Sequence, residues 1–371
     1  MRLIALYCQR DPLPGFTRWS IRTIQIYLQN NPNFLHCRIS CTSIHRLIKS
    51  HSLKPYSNKY FLQISDPFFF EKMERILQVY ASNYPYLFCF DECTGLQALE
   101  RVAPRLPSNG ERPEYLEPEY IRHGTVSLLS VMRVSTGDVF SECIPDHKST
   151  TVIQVLEKHI CQYNESEELH YICDNYSSHS TEEVCMKIAE LCKIKLPMLK
   201  SLKERKEWLS SPAKRIIFHF LPTHGSWLNL IEIWFGLLQK KALKDESFAS
   251  LIELEKRILD FTETWDTHFK HPFEFTYTGD GLHEKVISRF ITWIEMESPQ
   301  LTEKFLNKQI KLLVNLVVKY WATPSIFIWK TLRKCLKDKV TFINSIIVTN
   351  NELPGLLSDL NYMLDTNLKV S

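Results

Sequence analysis

The chain has 371 residues, 44% of them apolar, enough to bury a sizeable core and more than one ordinary domain needs; two or three domains are expected. Its net charge of +3 hides an asymmetry: residues 1–65 carry nine basic side chains and one acidic, a local +8 that leaves −5 for the rest, so a basic N-terminus faces either a phosphate backbone or water alone. None of the eleven cysteines forms a C-x-x-C pair, Cys37/Cys41 and Cys89/Cys93 lack a second pair to complete a zinc site, and no segment is apolar enough to span a membrane, which excludes zinc folds and membrane-spanning classes.

Met1 to Cys8 is too short for a signal peptide, and Cys89 and Cys173, each inside an apolar run, read as reduced thiols of a cytoplasmic protein. A helix-turn-helix DNA-binding region, present only in part, is expected over residues 1–66. Within it Ser20 caps a run with Ile21, Ile24 and Leu28 at helical spacing. A second helix after Ser40 puts Ile44, Leu47 and Ile48 on one face and Thr42, Ser43, His45, Arg46 and Lys49 on the other. These five are the candidate DNA contacts, because a basic, hydroxyl-rich helix fits the major groove. The connection from Gln29 to Ile39 is longer than a tight turn, which leaves an ordinary helical hairpin open.

Residues 67–84 read as a connecting helix with the stripe Phe70, Met73, Ile76, Leu77 and Tyr80. From residue 85 to 279 the pattern changes to strands at Tyr86–Phe90, Val126–Met132, around Val139-Phe140, Leu169–Cys173 and Ile216–Leu221, with helices over 149–161, 180–193 and 227–242. That order belongs to a mixed sheet covered by helices. Pro104, Pro107, Pro113 and Pro118 mark residues 101–120 as an extended loop or a β-ribbon. A C-terminal helical region over 280–371 carries Trp293, Phe305, Leu312, Val317, Trp321, Trp329 and Leu336 among its apolar positions.

Two acidic residues follow buried strands directly: Asp91 after Leu87-Phe88-Cys89-Phe90, and Asp174 after Tyr171-Ile172-Cys173. Carboxylates at the tips of adjacent strands, about 5 Å apart, can converge on one cation, although Asp also ends strands simply to start turns. A third candidate is Glu232, in a helix that Ser226 would cap and whose buried stripe would be Leu228, Ile231, Phe235 and Leu238. Four residues after Leu228 and three before Phe235, Glu232 should share the inward face, where a carboxylate needs neutralising; the alternative is a surface glutamate at the stripe's margin. Oxygen donors of this kind suit Mg²⁺. Two such ions about 3.5–4 Å apart activate an attacking hydroxyl and stabilise the leaving oxygen in phosphodiester displacement.

The strings FDECTGLQALER, EYIRHGT, CDNYSSH and HFLPTHGSWLNLIEIWF, running in order within about Pro12 to Gly279, resemble the motifs of bacterial insertion-sequence transposases of the mariner superfamily. This is the DDE class with a ribonuclease-H-like fold. The resemblance implies an α/β, ribonuclease-H-like mixed sheet flanked by helices, with an N-terminal helix-turn-helix; the C-terminal helical extension read above is added to that pattern. It implies Asp91, Asp174 and Glu232 as a catalytic, metal-binding triad using Mg²⁺ or Mn²⁺, with two ions expected. It further implies hydrolysis at element ends, strand transfer by a 3′-hydroxyl and insertion at TA dinucleotides. The partners would be terminal inverted repeats and target DNA, bound by a homodimer or higher synaptic complex on the bacterial nucleoid. Glu92, Asn175, His179, His224, Ser226 and Asn229 match motif positions too, with capping or strand-end hydrogen bonding expected of each.

The chain departs from the family in three places. Family members carry two helix-turn-helix units, whereas this sequence begins near the joint Asp11-Pro12-Leu13-Pro14-Gly15, so the alternative is a truncated, inactive remnant that only binds DNA. A cellular nuclease of the same fold is the third reading. The 58 residues from Asp174 to Glu232 exceed the family interval, and the extra segment Leu196 to Lys214, with Lys200, Lys203, Arg205, Lys206 and Lys214, is expected to be a helix that loops out and touches DNA. The region beyond Gly279 is also long, and dimer contacts are one use for it.

Overall fold

Short apolar runs and well-placed caps account for most of the elements in this computed structural model, which describes residues 2–8, 13–35, 38–50, 63–347 and 352–367. Arg10, Asp11, Pro12, Cys37, Lys54 and Lys59, on which parts of the N-terminal reading rest, lie outside the described residues. The chain divides into two compact units, Met1–Gln63 and Ile64–Ser371.

The first unit holds α1 (Arg2–Cys8), α2 (Ile21–Asn30) and α3 (Cys41–Ser50). Ser20 caps α2 as expected, in a reciprocal box: its hydroxyl accepts the Thr23 N–H at 3.1 Å, and Thr23 Oγ1 accepts the Ser20 N–H at 2.7 Å. Ser40 Oγ accepts the Ser43 N–H at the start of α3. Helix α1 adds Leu3 and Leu6 to a core with Trp19, Ile24, Ile44 and Ile48. Sequence reading assigned no element there, because one pair of leucines three apart is too short a signal.

The second unit opens with α4 (Phe69–Ala81) and continues with β1 (Leu87–Arg101), β2 (Tyr120–Arg133), β3 (Val139–Ile144), α5 (Ser149–Ile160), β4 (Leu169–Cys173), α6 (Glu182–Leu191), α7 (Leu202–Leu209), β5 (Ile216–Phe220), α8 (Ile231–Leu238) and α9 (Leu251–Thr264). The strands form one mixed sheet in the order β3-β2-β1-β4-β5, with β1, β2 and β3 antiparallel and β4 and β5 parallel to β1. This is the ribonuclease-H-like α/β arrangement. Alternation on β1 feeds two cores. Leu87 and Cys89 pack with Ile172, Ile231, Trp234 and Ile258 on one face, whereas Phe88 and Phe90 join Tyr171, Val155, Ile188 and Phe218 on the other.

Strands β1 and β2 run further than expected. β1 continues beyond Phe90 because β2 keeps pairing with it, out to Arg101↔Tyr120, and the ribbon bends at irregularities after Cys93 and Gln97. The proline-rich stretch 101–120 is therefore a loop at the tip of the β1–β2 ribbon, and the bridge Leu106↔Tyr115 ties it across.

Five helices complete the unit: α10 (Leu282–Glu295), α11 (Glu303–Lys319), α12 (Ile326–Asp338), α13 (Val340–Ile346) and α14 (Glu352–Asn367). They share one core with α4, α8 and α9. Gln309 Nε2 donates to the Ile64 carbonyl at 2.9 Å, Tyr320 Oη to Glu74 at 2.9 Å, and His283 stacks on Phe70 with centroids 4.0 Å apart. No helix among the described residues is long and apolar enough to cross a membrane, and the described cysteines are free thiols.

The extra segment 196–214 does not loop out. Leu209 is fully buried and Leu196, Leu199 and Trp208 pack beside it on the Phe88 face, so a few well-spaced apolar side chains anchor what looked like a solvated basic helix. Lys214 is buried as well, and its ammonium donates to the Leu209 and Ser211 carbonyls at 2.6 and 3.0 Å, closing the end of α7 rather than offering a charge to DNA.

Buried histidines make this fold acid-sensitive. His159 Nδ1 accepts the Tyr171 hydroxyl at 2.8 Å, and burial drives its pKa down to about 3; burial, then the neighbouring His170, brings His219 to about 4. Each is neutral when folded, so its contribution is complete above the unfolded value near 6.5 and is lost as pH falls toward the folded values. We expect stability to drop by about 1.4 kcal/mol per pH unit per histidine below about 6.5. Urea midpoints at pH 7 and 5 check this, and His159→Gln should flatten the dependence.

Candidate active site

The parallel ladder between β1 and β4 ends at Cys89↔Ile172. Asp174 follows the last residue of β4 and leaves the sheet there, within electrostatic reach of Asp91, which lies on the Leu87 and Cys89 face of β1 that packs against α8. Asp91 is not at the end of its strand, as the sequence suggested, because β2 carries the strand on through the pair Asp91↔Ser130. Only its parallel neighbour has stopped, and Asp91 is left 8% exposed at that edge.

Two donors fix the Asp91 carboxylate: the Glu92 N–H on Oδ1 at 2.8 Å, and Asn229 Nδ2 on Oδ2 at 3.2 Å. The Asn229 amide also donates to the Phe90 carbonyl at 3.1 Å, and its Oδ1 is buried without a protein partner. Asn229 reaches this position from a tight turn. His224 takes a left-handed φ of +61°, and a Cβ on Gly225 would stand 2.9 Å from the Pro222 carbonyl oxygen, so the Pro-Thr-His-Gly string encodes a shape. His224 and Ser226 are exposed there and touch none of the carboxylates. Tyr80 of α4 holds the segment from behind, donating to the Leu228 carbonyl at 2.8 Å.

Glu232 lies differently from expectation. Ser226 does not cap its helix: Ser226–Leu228 is a separate 3-10 turn, Asn229 is extended, and α8 begins at Ile231 with no side-chain cap. The break resets the helical phase, so the buried stripe is Ile231, Trp234, Phe235 and Leu238 without Leu228, and Glu232 stands exposed in the first turn. From there partial burial, and then the charge of Asp174, raise its pKa.

Asp174 Oδ1 accepts the Tyr176 N–H at 2.8 Å and lies 2.9 Å from His179 Nδ1. That contact is too bent for a good hydrogen bond, so it is chiefly ionic. His179 is fully buried, and its other nitrogen is 3.1 Å from Glu92 Oε1. Burial opposes a charge on the ring, but the two carboxylates outweigh it and push the pKa up to about 9, so the ring is an imidazolium at neutral pH. In return Asp174, which burial alone would raise, is lowered by His179, the Tyr176 N–H and Lys206. Asn175 donates from Nδ2 to the Leu221 carbonyl and accepts Lys206 Nζ on Oδ1 at 2.7 Å. Lys206 and Tyr80 are the supports that sequence reading missed. The basic composition of 196–214 was the signal for the first, and the helical stripe on α4 disguised the second as core.

Asp91 carries the cost of the arrangement. Burial, then Asp174 and Glu232, push its pKa up to about 7. Among the described residues no three acidic, imidazole or thiol side chains are arranged to ligate one ion directly. An oxygen-only cluster in which Asp174 helps to raise the pKa of both Asp91 and Glu232 nevertheless fits a hard divalent cation, which keeps several waters and takes only one or two carboxylates directly.

The segment 86–255, which contains all three carboxylates, matches the DDE superfamily endonuclease family. No curated protein matches the chain. Among solved structures it is similar to the Mos1 mariner paired end complex with Mn, at a TM-score of 0.43 and 11% identity over 69% of this chain and 74% of that one. It is similar also to the Mos1 transposase paired-end complex with left transposon end and to the Mos1 strand transfer complex, each at 0.41 and 12%, over 69% and 70% of this chain and 74% of each of those. At those scores the likeness bears on neither fold nor function.

A raised carboxylate destabilises the metal-free protein in a defined window. The contribution of Asp91 is most favourable below its unfolded value of 3.8 and is lost as pH rises through about 7. We therefore expect Asp91→Asn to leave stability near pH 4 almost unchanged and to raise it at pH 8 by on the order of 2 kcal/mol. Denaturant melts of both proteins in chelator check this.

Proposed function

We propose that this chain, which carries a DDE superfamily endonuclease domain over residues 86–255, is a DNA transposase that cuts the ends of a mobile element and joins them to target DNA. The observation that carries the reading is the meeting of Asp91, Asp174 and Glu232, drawn from β1, the end of β4 and the first turn of α8, close enough to raise the pKa of Asp91 and Glu232. These three would hold Mg²⁺ or Mn²⁺, two ions in our reading. When bound, the metal supplies activation of the attacking oxygen and charge stabilisation on the leaving one.

The chain's own residues prepare that chemistry. Asn229 aims Asp91, and the His179 imidazolium keeps Asp174 ionised while pairing with Glu92. In the first reaction a water oxygen bonds to the scissile phosphorus as the P–O3′ bond breaks, freeing a 3′-hydroxyl. In the second that hydroxyl attacks a target phosphorus, displacing the target's own 3′ oxygen. We read TA as the target and a dimer or larger synaptic assembly as the working form, in the cytoplasm of a bacterium.

The helix-turn-helix reading of the first unit is supported by α3, where Thr42, Ser43, His45, Arg46 and Lys49 are all exposed while Ile44 and Ile48 are buried. Such a face can contact phosphates and base edges without disturbing the core. Replacing Arg46 and Lys49 by Ala should weaken DNA binding and lower the slope of log K against log salt by about 2.

The principal test is cleavage of element-end DNA with Mg²⁺. Asp91→Asn, Asp174→Asn and Glu232→Gln should each lower cleavage at least about 1000-fold, with DNA affinity kept within about threefold. Undiminished cleavage by any of them removes that residue from the triad. Cleavage without joined product, at any target concentration, favours a nuclease, and metal-independent binding alone favours a remnant.

A further inference from the structure

Helix α7, which lengthens the interval between Asp174 and Glu232, is anchored at both ends. Ser201 Oγ accepts the Glu204 N–H at 3.2 Å, Lys214 closes the other end, and Leu209 is fully buried. Two consecutive cations project from this platform. Arg205 Nε donates to the Ser180 carbonyl at 2.9 Å. Lys206 Nζ donates to Asn175 Oδ1 at 2.7 Å and lies 5.0 Å from the centre of the Phe220 ring.

Their two targets, Asn175 and Ser180, bracket the stretch that has left the sheet at Cys173; it bears His179 and directly follows Asp174. Ladder hydrogen bonds no longer define this stretch. It is held by the Tyr176 N–H on Asp174, the His179 contacts and the Asn175 amide on the Leu221 carbonyl. Arg205 and Lys206 add a grip at each end, from an element whose own position the Phe88-side core determines.

We infer that the 196–214 insertion is a brace for the active site, with Lys206 and Arg205 as positioning residues that hold Asp174 where a divalent cation needs it. This rests on the carboxylate reading above. Rigid support of a metal ligand by its hydrogen-bonded neighbours commonly changes affinity 10- to 100-fold. A sign distinguishes this role from a plain electrostatic one. An ammonium near Asp174 repels a cation, so if Lys206 acted by charge alone its removal would tighten metal binding. As a brace, its removal loosens it.

The test uses the full chain, metal-free, titrated with Mn²⁺ and followed by electron paramagnetic resonance, with amide hydrogen exchange measured in parallel. Lys206→Met and Arg205→Met should each weaken Mn²⁺ binding about 10-fold, and Lys206→Arg should restore it to within about threefold. Exchange at the Tyr176 and His179 amides should quicken about 10-fold in the two Met variants, with β4 unchanged, which separates local loosening from a general loss of stability. Tighter or unchanged Mn²⁺ binding with unchanged exchange overturns the brace. If the wild type binds no Mn²⁺, the carboxylate reading fails, and the exchange comparison still decides whether Arg205 and Lys206 hold the segment.

Discussion

A carboxylate placed where a protein least tolerates one organises this molecule. Asp91 continues the column Leu87, Cys89 on a strand whose two faces are both buried, and it is 8% exposed with two further carboxylates within electrostatic reach. Left alone, such a group takes up a proton, and its pKa of about 7 records that pressure. Much of the local architecture keeps it oriented nonetheless. The Glu92 N–H and the Asn229 amide bind its oxygens, and Tyr80 secures the segment from which Asn229 reaches in. A site of this kind trades stability for a charge that only a cation relieves.

Strand geometry then distributes the remaining acids. Neighbours on a strand point to opposite faces, so Asp91 and Glu92 cannot serve the same side of the sheet. Asp91 meets α8, while Glu92 meets the buried ring of His179 beside Phe90. The chain reconnects the two sides around the end of β4, where the same imidazolium touches Asp174. One proton on His179 thus offsets two acids from different strands, which leaves Asp91 and Glu232 as the pair with raised pKa values.

What could be read in the sequence follows from how local each signal is. Strand β4 matches its expected range, Leu169–Cys173, because a strand buried on both faces is an unbroken apolar run. The acids after Phe90 and Cys173 stand out for the same reason. The continuation of β1 to Arg101 was not legible, since its support comes from β2, some thirty residues further along the chain. Glu232 was placed on the wrong face because periodicity assumes one unbroken helix, and the extended Asn229 breaks it. The insertion misled for a third reason. Its basic side chains set its net charge, but four partly or fully buried apolar side chains, Leu196, Leu199, Trp208 and Leu209, decide where it packs.

Charge imposes a last constraint. The unit Ile64–Ser371 has every acid of the chain except Asp11 and only those bases that follow residue 63, so it is net negative by five while residues 1–63 are net positive by eight. A unit of that sign, which also holds the carboxylate cluster, repels a phosphate backbone until cations are present. Within it Lys206, Arg205 and Lys72 are already engaged, on Asn175, the Ser180 carbonyl and Asp66. In the first unit, by contrast, Arg46 and Lys49 are exposed and free of carboxylate partners among the described residues. On the function proposed above, capture and chemistry would fall to different parts of the chain, because charge separates the two units before any geometry is considered.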